Sequence, residues 1–233
     1  MKLGISLLLI LMPICVSAQN VNKEKHSHDH GDKPHSSAAG TKTAILEKKT
    51  VAATPVSPAF VQLAKNVEVI PNIEDALKTV GVLTHEGVFG PLLFAEKTRA
   101  FFIELKPGMF LFEHPHSTGS IVYTVRGKWV LASEGKRQVM EAGSLFRFGD
   151  NMPTGWEAPF ADGALLLVVK SKKKGEAYEP FIKGLNKMKV SLDKERAKGN
   201  KFYFNELKPD HPAIVFARSV NPNFDEVLKN IRY

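Results

Sequence analysis

From residue 89 to residue 170 short apolar segments recur with turn residues between them, the pattern of strands half-buried on a sheet. The pattern predicts strands near 89–95, 100–106, 109–114, 120–126, 128–133, 137–140, 144–148 and 164–170. Pro107-Gly108, Arg126-Gly127, Glu134-Gly135 and Gly149-Asp150 punctuate them as turns. This rhythm belongs to an antiparallel sandwich or barrel, not to alternating strand and helix. Ahead of it, Asn72 is placed to cap a short helix with Asp75 at its third position. Ile73, Ala76, Leu77 and Val80 form that helix's apolar face. Behind it the period changes to helical. Tyr178, Phe181, Ile182, Leu185 and Met188 make one stripe, and Phe224, Val227, Leu228 and Ile231 make another behind a capping-box-like Asn223 and Glu226. Both stripes are expected to pack on the barrel or on a second subunit.

The N-terminal part carries a different pattern. Lys2, an apolar run from Leu3 to Val16 and the small residues Val16-Ser17-Ala18 read residues 1–18 as a signal peptide, cleaved before Gln19. The run is too short, and too interrupted by Pro13, for stable membrane insertion. An exported protein, periplasmic or secreted, is expected. Cys15 is the only cysteine and would leave with the leader, although Met12-Pro13-Ile14 is a poor lead-in for lipid attachment. The mature domain must then be held by its own core rather than by disulfides. Residues 19–58 have the composition of a disordered tether. Within it His26, His28, His30 and His35 form an alternating histidine tail suited to weak metal capture, since a flexible chain must be ordered by the ion. Residues 59–170 are read as the β-barrel and 171–233 as a basic, helical extension.

The surplus of positive charge lies in the C-terminal segment. Residues 19–169 hold 16 basic and 16 acidic side chains, whereas 170–233 hold 15 and 8. The run Lys170-Ser-Lys-Lys-Lys174 is either a solvated loop entering a helix or a contact to a membrane surface or acidic polymer. No nucleic-acid motif accompanies it, so no nucleic-acid partner is expected. The mature chain also lacks a nucleophilic cysteine, a Gly-x-Ser-x-Gly elbow and phosphate-binding glycine patterns.

The chemistry concentrates in Gly108-Met-Phe-Leu-Phe-Glu-His114-Pro-His116, followed by Ser120 and Gly127. In a strand, His114 and His116 share a face, and Glu113 points away from them. Phe110 and Phe112 have the same parity and are expected to form an apolar wall beside them. Trp156, in a loop, would close over a ligand, whereas Trp129 is expected in the core.

These strands and this spacing resemble the cupin family, small jelly-roll β-barrels, over roughly residues 80–170. The first family motif has Gly, five residues, His-x-His, a Glu and a Gly, and Gly108, His114, His116 and Gly127 match it. Ser120 stands where the Glu belongs. The second motif starts at Gly143 and matches in length, but Thr154 stands where its final His belongs. The resemblance implies an all-β, antiparallel jelly-roll barrel with a short N-terminal helix and a C-terminal helical extension, and by analogy a homodimer. It also implies a metal site reduced to His114 and His116. Hydroxyls are weak ligands for transition metals, so Glu157, Glu104, His85 or Tyr123 would have to substitute.

Three readings follow. One divalent ion (Fe, Mn, Zn, Ni or Cu) on the two histidines would make a metal-dependent oxygenase, isomerase or lyase. Alternatively no metal binds and the histidines act directly, one as general base near neutral pH, in isomerisation, ring opening or lyase chemistry on a sugar acid or keto acid. The third is a non-catalytic ligand-binding or sensing barrel, with Phe112, Ser120, Thr154 and Trp156 lining the pocket for a small-molecule ligand.

Overall fold

The computed structural model describes residues 60–231. The leader, Cys15 and the histidine tail with His26, His28, His30 and His35 lie outside the described residues. No described helix is long and apolar enough to cross a membrane.

Strands β1 (Val61–Ala64) and β2 (Val67–Val69) pair with each other, and helix α1 (Ile73–Val80) follows. The Asn72 side chain accepts the Asp75 N–H at 3.1 Å, the predicted cap. Strand β3 (Val82–Thr84) then turns through His85 and Glu86 into β4 (Gly87–Phe94). The jelly roll continues with β5 (Thr98–Leu105), β6 (Phe110–Pro115), β7 (Ser120–Ser133), β8 (Lys136–Glu141), β9 (Leu145–Phe148), β10 (Pro153–Glu157) and β11 (Ala164–Ser171). All pairings are antiparallel. One layer runs β3-β4-β5-β11-β7-β9 and the other β8-β7-β10-β6, curled into a half-barrel.

The two segments predicted at 120–126 and 128–133 are one strand, β7, which serves both layers. A register shift at Val125 exchanges its faces. Before it Ser120, Val122 and Thr124 point inward, and after it Trp129 and Leu131 do. Gly127 carries the corner with φ +79°, and a Cβ there would overlap the Gly163 carbonyl oxygen, so the corner requires glycine. Trp129 is fully buried, as expected, and its Nε1–H donates to Thr124 Oγ1 at 2.9 Å.

The core lies between the layers, where Leu105, Leu111, Val122, Trp129, Leu166 and Val168 meet. Each such side chain removed from water contributes about 1.5–3 kcal/mol. Helix α2 (Tyr178–Ala197) lays Phe181, Ile182, Leu185 and Met188 against this core, beside β3 and β4, as the stripe predicts. Helices α3 (Pro212–Val220) and α4 (Phe224–Lys229) build a second cluster with Phe204 and Phe110. The expected Asn223 cap does not form. The Asn223 side chain makes no cap bond, and Asn221 Oδ1 instead accepts the Asn223 N–H at 3.0 Å.

Candidate functional site

Strand β6 carries His114, and His116 follows just past its last residue, with the two ring centroids 4.5 Å apart. Their orientation depends on an irregularity in β6. Thr154 of β10 pairs with His114 while Trp156 pairs with Leu111, so β6 spends three residues where β10 spends two. That extra residue breaks the simple alternation. Leu111 faces the barrel core, Phe110 packs instead on Phe204 and His211, and Phe112 is 39 % exposed with its ring 5.7 Å from His114. The apolar wall expected from Phe110 and Phe112 is therefore not built. Its place is taken by Phe148, 4.9 Å from the His116 ring, and by Trp156 at 6.3 Å. Trp156 is not in a loop. It is buried in β10, 5.8 Å from Trp129. Glu113 turns away as expected, accepting the Gly135 N–H at 3.1 Å.

Each imidazole is fixed through one ring nitrogen. His114 Nδ1 lies 3.1 Å from the Phe112 carbonyl, so it carries the proton. His116 Nε2 lies 2.9 Å from Thr154 Oγ1, which also accepts Trp156 Nε1–H at 3.3 Å. The turn between β3 and β4 supplies the acidic partner. Glu86 Oε1 stands 3.6 Å from His114 Nε2 and 3.7 Å from His85 Nε2. The turn is tight because Thr84 Oγ1 bonds both the Gly87 carbonyl and the Glu86 N–H, and because a Cβ at Gly87 would crowd Ile103 and the Glu104 carbonyl.

This arrangement separates the two histidines electrostatically. Burial pulls the His114 imidazole down, but the Glu86 carboxylate and the Phe112 carbonyl outweigh it, and His114 ends above its ordinary value. Burial, reinforced by His114, drives His116 from 6.5 to about 4. Burial also raises Glu86, yet His114 and His85 outweigh it and hold the carboxylate below its usual range. His114 therefore holds a proton more readily than its ordinary value and His116 less readily.

The other sequence-predicted groups separate. Ser120 is buried on the inner face of β7 and Thr154 is buried against His116. His85 reaches the site beside Glu86. Glu157 is buried elsewhere and bound to Arg137 at 3.0 Å, Glu104 binds Arg126 and Lys106, and Tyr123 is exposed on the outer face. Glu86 was not among the expected residues, because a His-Glu turn before a glycine carries no metal or catalytic spacing. Among the described residues no three His, Cys, Asp or Glu side chains gather as a metal group. With hydroxyls at 120 and 154, the donor set does not fit the family's resident ion. A cavity of about 210 Å³ lined by Phe60, Leu92, Phe94 and Tyr178 shares no residue with this site.

Residues 106–170 match the model of the AraC-like ligand binding domain, the segment that carries both histidines. No curated protein matches the chain. Among solved structures it is similar to the DMSP lyase DddQ from Ruegeria pomeroyi, at 15 % identity and TM-score 0.32 over 36 % of this chain and 42 % of that one. It is also similar to an RmlC-like cupin from Shewanella frigidimarina, at 22 % identity and TM-score 0.34 over 38 % and 78 % of the two chains. The third is KdgF from Halomonas sp., at 18 % identity and TM-score 0.35 over 38 % and 80 %. The chain thus spans less than half the length of the lyase. The segment that resembles an AraC-like ligand binding domain thus lies within the antiparallel half-barrel.

Proposed function

We propose that the half-barrel binds a small polar molecule of the sugar-acid or keto-acid type at the mouth lined by His114 and His116. One observation carries this reading: two adjacent imidazoles, each fixed through one ring nitrogen by the fold, present their remaining donors and acceptors in a cupin-type barrel. Fixed polar groups on an aromatic floor are the composition of a small-molecule site. Thermal-shift screening of sugar acids and keto acids tests it. A stabilising ligand whose effect disappears in His116→Ala supports the reading, and a panel without effect on the folded protein defeats it.

A second reading, catalysis, is favoured by the Glu86–His114 pair. A carboxylate facing an imidazole with raised proton affinity suits proton transfer next to a carbonyl or carboxylate, as in a metal-free isomerase or lyase. Ligand recovered unchanged supports a binding or sensing module. Conversion that is lost in Glu86→Gln while binding persists supports an enzyme. Export to the periplasm or medium is also proposed, and a mature chain beginning at Gln19 in the exported fraction would support it.

A further inference from the structure

A single row of side chains crosses the inner face of the first layer. Antiparallel pairing sets Arg99, Lys170, Ser120 and Phe148 next to one another on β5, β11, β7 and β9. Lys170 follows Leu166 and Val168 on the core-facing side of β11, by the two-residue period of a strand. Its Nζ lies 5.7 Å from the centroid of the Phe148 ring, the ring that His116 meets at 4.9 Å from the other layer. An ammonium and an imidazole therefore converge on one aromatic floor.

The two cations of this row differ in their partners. Arg99 is paired with Glu176 and lies over the rings of Phe101 and Phe181. Around Lys170 the charged groups are Arg99, Glu86, Lys173 and Asp150. Both carboxylates are engaged elsewhere, Glu86 with His85 and His114, and Asp150 with the Gly119 N–H. Among the described residues no carboxylate forms an ion pair with Lys170. Beside it Ser120 is 6 % exposed, and its buried Oγ has no hydrogen-bond partner. A buried hydroxyl left without a partner is costly. A partly buried ammonium without a counter-ion is also costly. One anion seated between them relieves both.

We propose that Lys170, Ser120 and His116 form the subsite for the carboxylate of the molecule that enters the mouth. Positive charge is supplied by a lysine in a barrel whose family ligand positions hold hydroxyls. Lys170 gives the charge, Ser120 Oγ donates to one carboxylate oxygen, and His116 borders the other side over Phe148. The inference rests on the small-molecule reading above and narrows it to anions.

Calorimetric titration of the full chain with D-galacturonate and pyruvate, beside neutral D-galactose and methyl pyruvate, tests it. Lys170→Gln, Lys170→Arg and Ser120→Ala are compared, each checked for folding by circular dichroism. The carboxylates are expected to bind roughly tenfold or more tightly than their neutral counterparts, since a charge-assisted contact is about twice a neutral one. Lys170→Gln should remove that preference, Ser120→Ala should weaken it several-fold, and Lys170→Arg should keep it. Equal binding of charged and neutral probes, unchanged in Lys170→Gln, overturns the anion subsite while the small-molecule reading stands. No binding by any probe overturns both.

Discussion

Thr154 pairs along its strand with His114 but gives its hydroxyl to His116, at 2.9 Å. Because the same oxygen accepts the Trp156 indole N–H, a half-buried imidazole is tied to an indole in the core. The hydroxyl at a family ligand position thus acts as an orienting group for the histidine next to it.

Thr154→Val keeps the shape and removes both bonds. The Trp156 N–H is then buried without a partner, and the substitution should cost about 1–3 kcal/mol. A urea midpoint equal to that of the wild type would show that the hydroxyl contributes nothing.

The two histidines should titrate far apart. In a proton NMR titration His114 is expected above its ordinary 6.5 and His116 near 4. Because His116 stays neutral in the fold while an unfolded imidazole protonates, its contribution to stability is lost as pH falls from about 6.5 towards 4. For His114 the sign is opposite: its contribution is present at acid pH and fades as pH rises through its elevated value. Glu86→Gln should bring His114 down, and an unmoved His114 would refute the pairing.

Restoring the family donors should restore metal affinity. Ser120→Glu with Thr154→His supplies a carboxylate and an imidazole beside His114 and His116, and should bind Zn or Mn tighter than wild type by orders of magnitude. Metal content by mass spectrometry, with His114→Ala/His116→Ala as reference, reads the result. Stoichiometric metal in the wild-type barrel, lost in that reference, would instead mean that other groups complete a site.

Arg137 and Glu157 form a buried pair on the other side of β10. Burial, working against Arg137, pushes the Glu157 carboxyl up to about 7. Arg137→Met therefore strands a charge at pH 8 and should cost about 3–5 kcal/mol there, but less at pH 5, where the carboxyl is protonated. Denaturation curves at the two pH values decide; equal losses would contradict the shifted carboxyl.

The outer face of β7 and β9 exposes Ile121, Tyr123, Val125 and Leu145 together. A homodimer through this face is the proposed assembly. Sedimentation should give a dimer that Leu145→Glu dissociates; a monomeric wild type would reject it.

Most of the fold was legible because its strands alternate and its turns hold glycine. The strand around Thr154-Gly-Trp156 was not, since three residues of unlike character show no period. The histidine pair was legible from spacing, but its neighbours were not. One extra residue in β6 reassigned Phe110 and Phe112, and Glu86 and Lys170 reach the mouth through turn geometry and cross-strand register. Spacing along one strand reports on that strand, whereas a site assembled from several of them depends on how they are aligned.

Strand β7 has a consequence for when the protein can fold. Its pairing with β11 joins Ser120 to Lys170, so the first layer cannot close until the chain has emerged past residue 170. Such distant pairings make formation slow compared with local hairpins. A nascent chain therefore stays open along this layer until its last barrel strand has been made.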